Sequence, residues 1–305
     1  MKQNTMHWQT SRFLIDLTQP KVMGIVNVTP DSFSDGGLHA SHGAAMRHCD
    51  KLLKGGADIL DIGGESTRPG ALALPVEEEL ARVLPVVRHA VTLGVPVSVD
   101  TYKPQVMQAV LDLGADIIND VWALRWRDQP DGVTGQAVVA AHRSCGVCLM
   151  HMHGEPQTMQ LTPMEGDVVP QVLSFLELLA QYLCGLGVNM ARICVDPGIG
   201  FGKTVPQNLA LLARQNELLS LGYPLLAGWS RKSTLAAITQ RSLGAVATLS
   251  VQDRMVPSVV AAVLAVQQGA SVVRVHDVAE TVQALKVLTA VSASKPVPTL
   301  QQSLA

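Results

Sequence analysis

The sequence predicts a (β/α)8 barrel, an α/β fold of parallel strands with its site at the C-terminal ends of the strands. Three observations carry that expectation. Short apolar runs alternate with stretches of helical spacing eight times within about 270 residues. No hairpin turn signal joins any two runs, so the strands are expected to be parallel and to cross over through helices. Nearly every run ends on a polar side chain, as barrel strands do where they open on a ligand. An open doubly wound sheet is the alternative, but its polar tips would gather at a single switch point.

Each element follows from local pattern. The first run, in residues 22–37 (VMGIVNVTPDSFSDGG), begins as a buried β-branched strand and ends on Asn27. It then breaks into Thr29-Pro30-Asp31-Ser32, and Gly36-Gly37 close the loop. Helical spacing over 41–53 stops at Gly55-Gly56, and the strand at 57–63 runs into GGESTRPGA. Residues 75–93 read as a helix entered by Pro and three Glu, whose charges suit its positive end. The strand at 96–101 is tipped by Asp100 and followed by a short helix, 104–113. The run 116–121 (DIINDV) carries Asn119 and Asp120, and a helix around 136–143 precedes the strand 147–152. A long helix over 167–186 leads to 193–198 (ICVDPG), tipped by Asp196. Residues 207–219 lead to the strand 224–230, and helical stretches from 232 to 268 lead to 271–277 (SVVRVHD). The last helix spans about 278–291. Residues before Phe13 and after Ala293 are polar or Pro-bearing and are expected to be loose around a single domain, 1–305, whose barrel covers about 13–293.

Composition narrows the function. The chain has 305 residues, 48% hydrophobic and 16% charged, enough to bury a large core. A net charge of −2 gives no global field for nucleic acid or an anionic membrane, so an anionic ligand must be met locally. No run approaches the ~20 apolar residues of a membrane span; the longest, 259–266, is far shorter. The N-terminus lacks the apolar core of a signal peptide, which makes the cytoplasm the expected compartment. Five scattered cysteines (49, 145, 148, 184 and 194) argue for reduced thiols. Cys145 and Cys148, with His151 and His153 behind them, have zinc-like spacing. On a strand, however, Cys148 and His151 would point to opposite faces and could not converge.

On one barrel mouth the polar tips assemble into a set: Asn27, Glu65-Ser66-Thr67-Arg68, Asp100, Asn119, His151, Asp196, Lys232, Arg274 and His276. Any one of them could be a helix cap or a satisfied core polar group. Together they are a mixture of acids, amides and bases with no hydrophobic plug. Asp and Asn suit the N–H donors of a flat heterocycle, while Arg, His and Thr suit phosphate oxygens. Two motifs are decoys. DPGIGFGKT has Pro197 where a phosphate-binding P-loop needs glycine, and the sequon at Asn27 has no secretory signal to accompany it.

Taken in order, GIVNVTPDSFSDGG, DIGGESTRPGA, VSVDTYKP, IINDV, LMHMHG, VDPGIGFGK, WSRKS and VRVHDV resemble the motifs of the bacterial dihydropteroate synthases, a pterin-binding family, from Val22 to about Ala290. The resemblance implies an enzyme of folate biosynthesis, the target of sulfonamides. It would condense hydroxymethyl-dihydropterin pyrophosphate with p-aminobenzoate, by dissociative loss of pyrophosphate. By the same resemblance Asp100, Asn119, Asp196 and Lys232 hold the pterin. Asn27, Thr67, Arg68, Arg274 and His276 serve the pyrophosphate, with Mg²⁺ on Asn27. Asn27, Arg68, Asp100, Lys232, Arg274 and His276 then form the catalytic set, and Pro69, Phe201 and Ser233 meet p-aminobenzoate. A homodimer is implied, with small-molecule substrates and neither nucleic acid nor membrane as partner. Tyr102, His153 and Trp229 depart from the usual pattern beside the motifs. A corrinoid-linked methyltransferase barrel and a catalytically silent pterin-binding paralogue remain as alternatives.

Overall fold

The computed structural model describes residues 6–28, 37–68, 70–127, 129, 132–243 and 250–294. The loop after Val28, Pro69 and the tail beyond residue 294 lie outside them.

The chain opens on an antiparallel hairpin, β1 (His7–Gln9) and β2 (Leu14–Asp16). Then come β3 (Lys21–Asn27), α1 (Gly37–Lys54), β4 (Ile59–Gly63), α2 (Val76–Ala90), β5 (Val97–Asp100), α3 (Pro104–Asp112), β6 (Ile117–Asp120), α4 (Gly135–Ala141) and β7 (Gly146–Met150). The second half holds α5 (Val168–Gly185), β8 (Ile193–Asp196), α6 (Val205–Ala213), β9 (Leu226–Ala227), α7 (Ser233–Leu243), α8 (Met255–Gln267), β10 (Val272–Val275) and α9 (Val278–Ala293). Strands β3 to β10 pair in the order β8-β7-β6-β5-β4-β3-β10-β9, all in parallel. A parallel bridge from Val195 to Leu225 sets β8 beside the entry to β9 and brings the circle round. The fold is the (β/α)8 barrel.

Alternation along each strand separates two layers. Outward residues such as Val26, Leu60, Ile62, Val99, Ile118, Leu149 and Val195 pack against the helices. Inward residues Met23, Ile59, Ile117, Cys148, Cys194, Leu226 and Val272 fill the N-terminal half of the barrel.

From residue 6 onward the segment before Phe13, expected to be loose, is ordered. The β1–β2 hairpin covers the lower mouth, and Trp8, fully buried, caps the inward layer while its indole donates to the Arg192 carbonyl at 2.9 Å. Burying a side chain of this size removes about 150–250 Å² from water, worth roughly 4–6 kcal/mol. Arg12 anchors the turn through a fork of bonds to Asp116, at 3.1 and 2.6 Å. Strands of three residues carry too little pattern to signal a hairpin, and that is why it escapes a sequence reading.

Element ends also shift. The 207–219 helix is α6, started by a Thr204/Gln207 capping box, followed by a 3-10 turn, Gln215–Leu221, that stops at left-handed Gly222. The 232–268 stretch divides into α7, a short 3-10 turn (Gln252–Arg254) and α8. At 18 residues, α5 is long and apolar enough to cross a membrane by length and composition, against the expectation that no run approaches that length. It lies along the barrel, burying Val168, Val169, Val172, Leu176, Ala180 and Leu183.

Candidate active site

Two residues above the apolar layer, the same strands turn polar. Ile59 is followed by Asp61, Ile117 by Asn119, Cys194 by Asp196 and Val272 by Arg274, each one alternation further along. Asp100 stands in register between Gly63 and Asn119. Gly63 has no side chain to block it: a Cβ there would lie 3.4 Å from that of Asp100. Geometry therefore delivers these groups to the C-terminal mouth, one strand at a time.

Charge is concentrated there. Arg274 donates from Nε to Asp61 Oδ2 and from Nη2 to Asp100 Oδ2, both at 2.6 Å. The Asn119 amide lies 3.4 Å from both Asp61 oxygens. Burial pushes the Asp100 carboxyl up to about 7 against the pull of Arg274, with Asp61 and Glu79 adding to the rise. Burial opposes the Arg274 charge, but Asp61 and Asp100 outweigh it and hold the guanidinium above its ordinary value. Across the mouth, Asp196 accepts the Gly198 N–H at 2.7 Å, and burial raises its carboxyl. Lys232 sits with Nζ 4.2 Å above the Phe201 ring; burial and then Arg274 bring its ammonium down to about 8, while Asp196 and Asp100 resist.

A second group lies at the ends of β3 and β10. Asn27 closes β3, half-buried, in register with Gly63. His276 follows β10, with Nδ1 2.9 Å from the Ser230 hydroxyl oxygen, which also accepts the His276 backbone N–H at 3.1 Å. In the tautomer where the hydroxyl donates to Nδ1, Nε2 carries the ring proton and can donate. Burial, with Arg231 and Arg274 nearby, lowers the His276 imidazole to about 3 and keeps it neutral. Arg231, at φ 57°, is held by a fork to Asp277 and by its N–H to Ser258 at 2.8 Å. That fixes the turn between Ser230 and Lys232.

Not every expected residue joins. Thr67 is half-buried and Arg68 exposed on the loop after β4; Arg68 reaches the others only through its positive field at Lys232 and His276. Ser233 begins α7 and is exposed, and Pro69 lies outside the described residues. His151 leaves the set. It points away from the barrel interior onto Phe175, ring centroids 4.7 Å apart, with Nδ1 2.9 Å from the Lys203 ammonium. Lys203 also bonds the Gly198 and Phe201 carbonyls, at 2.9 and 3.1 Å, and so ties down the loop after β8. That loop needs its glycines: at Gly198 (φ 69°) a Cβ would fall 1.8 Å from the His151 carbonyl oxygen. Cys145 and Cys148 diverge, the first bonded by Arg192 at 3.2 Å in the helix layer and the second inside the barrel.

Sequence reasoning missed Asp61, the buried acid that Arg274 grips. Its signal was available in the alternation Ile59, Asp61, Gly63, which puts all three on one face. Ser230 was missed as well.

Comparison with known proteins bears on this constellation. The family model for pterin binding enzymes matches residues 23–276. A dihydropteroate synthase of Neisseria meningitidis serogroup B is 47% identical over 285 residues, covering 92% of this chain and 95% of the relative. The solved structure of the Xanthomonas albilineans dihydropteroate synthase with 4-aminobenzoic acid superposes with a TM-score of 0.85 at 46% identity, covering 95% of this chain and 99% of that one. That of Burkholderia cenocepacia dihydropteroate synthase complexed with 7,8-dihydropteroate gives 0.81 at 46% identity, covering 94% and 96%. By these matches, which span nearly all of its length, the chain belongs to the pterin-binding enzymes and, among them, to the dihydropteroate synthases.

Proposed function

We propose that this barrel joins 6-hydroxymethyl-7,8-dihydropterin pyrophosphate to p-aminobenzoate, forming 7,8-dihydropteroate and pyrophosphate, with the pterin on one half of the mouth and the leaving group on the other. The observation that carries the reading is the ring of inward polar tips, Asp100, Asn119, Asp196 and Lys232, directly above a sealed apolar floor. A buried carboxylate accepts paired N–H groups from an aminopyrimidine edge, and a lysine donates to ring oxygen and nitrogen. Lys232, at about 8, retains enough proton at neutral pH to do so.

Asn27, Thr67, Arg68, Arg274 and His276 are the proposed pyrophosphate ligands. Arg274 on β10 and His276 just past its end are two residues apart, and β10 pairs with β3, which carries Asn27. In the free enzyme Arg274 is held on Asp61 and Asp100. An incoming pterin that satisfies Asp100 releases one arm of the guanidinium for phosphate oxygens. His276 donates from Nε2, and its gain grows as negative charge collects on the leaving oxygen, which is stabilisation of the transition state over the ground state.

Magnesium fits this mouth. Among the described residues no cluster of three or more His, Cys, Asp or Glu could hold a metal by itself. Asn27 supplies one hard amide oxygen, and that suits an ion bound chiefly through substrate phosphates and water. When bound, Mg²⁺ neutralises pyrophosphate as a leaving group. The protein's own part is to grip the departing anion, to surround the resulting pterin cation with Asp100 and Asp196, and to admit the neutral arylamine over Phe201 and the Lys232 stem. Ser233, at the N-terminus of α7, would receive its carboxylate beside Pro69. The Gly-, Pro- and Ser-rich loops after β3 and β4 would close over the site and exclude water.

The enzyme is proposed to work in the cytoplasm as a homodimer. A stripe of exposed apolar residues at i, i+4 and i+8 on α8 (Val256, Val260 and Leu264) supports a second copy as the partner. The activity is tested by following pyrophosphate release. Release that requires the pterin substrate, p-aminobenzoate and Mg²⁺ together is expected. Release that is equal without p-aminobenzoate would make the protein a hydrolase and overturn the proposal.

A further inference from the structure

Glu65 stands where β4 hands over to the loop that carries Thr67 and Arg68. Its side chain is only 9% exposed, although it is a carboxylate at the edge of an exposed loop. Both of its oxygens are taken by one dipeptide from the neighbouring strand's turn. The Tyr102 hydroxyl donates to Oε1 at 2.8 Å, and the Lys103 ammonium donates to Oε2. Lys103 itself is buried and also donates to Glu79 Oε2 at 2.6 Å, from within α2. The other Glu79 oxygen is buried and has no partner, and burial, partly offset by Lys103, raises this carboxyl. Lys103 is therefore shared between two acids, so the neutral Tyr102 hydroxyl is a needed second grip on Glu65. The Tyr102 ring is fixed in turn, edge-on to Trp126 with centroids 5.1 Å apart.

Just before Glu65 the backbone is also clamped. Arg82 donates to the Gly64 carbonyl at 2.9 Å, and a Cβ on Gly64 would lie 2.7 Å from Val83. Past Glu65 the chain emerges: Ser66 and Arg68 are exposed. The boundary between buried and exposed chain falls at Glu65 itself. Tyr102 is two residues beyond Asp100, so the clamp and the proposed pterin acid belong to the same strand end.

We propose that Tyr102 and Lys103 are positioning residues for the leaving-group half of the site, acting through Glu65 to fix the hinge from which Thr67 and Arg68 reach the pyrophosphate. The inference rests on the reading of those two residues as pyrophosphate ligands. It goes beyond that reading in assigning their placement to a hydrogen-bonded clamp that touches no substrate. It also gives Tyr102, which departs from the usual pattern beside its motif, a role in leaving-group chemistry.

The test is Tyr102→Phe, which keeps the ring packing and deletes one hydroxyl. Three quantities are compared with wild type: kcat/KM for the pterin pyrophosphate, Kd for the pyrophosphate-free pterin alcohol by calorimetry, and thermal midpoint. Loss of one hydrogen bond to a charged acceptor is expected to lower kcat/KM about tenfold. The alcohol affinity should stay within a factor of two and the midpoint should fall by only a few degrees. Glu65→Gln, which keeps the shape and loses the charge that Lys103 grips, should show the same split with a larger fall. If Tyr102→Phe leaves both constants unchanged, or lowers both by one factor, the clamp is a structural feature and the proposal is wrong. A wild-type enzyme that releases no pyrophosphate would overturn the functional reading instead, so the two failures are distinguishable.

Discussion

The two ends of the barrel are built from the same strands and the same inward-facing positions, yet they differ in chemistry. At the N-terminal end Met23, Ile59, Ile117, Cys148, Cys194, Leu226 and Val272 meet under Trp8, and water is excluded. One alternation higher, about 6.6 Å along a strand, the inward residues are Asp61, Asp100, Asn119, Asp196 and Arg274. The lower layer gains free energy from every buried methylene. The upper layer carries three acids, two of them, Asp100 and Asp196, raised by burial, with Arg274 and Lys232 as counter-charges. Such a set is weak as a source of stability and is retained for what it binds. The fold thus divides stability from chemistry along its axis, and each layer can be perturbed while the other is watched.

The largest effect is expected at the floor. Trp8→Ala should lower unfolding free energy by about 3–5 kcal/mol through lost burial and a cavity. Pterin affinity of the folded fraction should be unchanged, as followed by denaturant unfolding and calorimetry. Next comes Arg274→Gln in the upper layer. It removes a grip on the leaving group, and a loss of about a hundredfold in kcat/KM is expected. Asp61 and Asp100 are left facing each other, and the proton that Asp100 then takes up costs pterin alcohol affinity only a few-fold, because Asn119, Asp196 and Lys232 still hold the ring. If turnover and alcohol affinity fall by one factor, Arg274 belongs to the ring half alone.

A pH series gives a smaller effect. Asp100, raised to about 7, must be ionised to accept from the ring, so affinity for the pterin alcohol should fall as pH drops through 7. Lys232, lowered to about 8, must keep its proton, so affinity should fall again as pH rises past 8. The optimum lies between the two, and an affinity flat from pH 6 to 9 would remove both groups from the ring site. The smallest change is Cys148→Ala in the floor. About 1 kcal/mol of stability should be lost, with alcohol affinity within a factor of two.

Much of this architecture is legible in sequence. Eight strands with polar tips follow from alternation and from Gly- and Pro-marked ends, and the upper-layer acids sit on those tips. What escapes does so for physical reasons. The β1–β2 hairpin has strands of three residues, too short for a period to register, and Trp8 is defined by a partner 184 positions away. Asp61 lies inside a strand, where an apolar run of five conceals a side chain whose meaning depends on Arg274 from the opposite end of the chain. His151 looked like a tip because it follows β7, but it lies one position past the inward Met150 and so falls on the outer face. Tips can be found from position along a strand; partners across the barrel cannot.

The division between the two layers is tested most directly by Asp196→Asn, which keeps an acceptor for the Gly198 N–H and removes only the charge. Alcohol affinity and unfolding free energy should be measured on the same sample at pH 8. Loss of a charged partner to the ring should weaken binding by about 1.5–3 kcal/mol, at least tenfold. Burial raises the Asp196 carboxyl above its unfolded value, so its ionised form costs the fold free energy at every pH above that value. The variant should therefore be as stable as wild type or more so. Affinity within a factor of two together with a loss of stability above about 2 kcal/mol would contradict the account, because Asp196 would then belong with the floor.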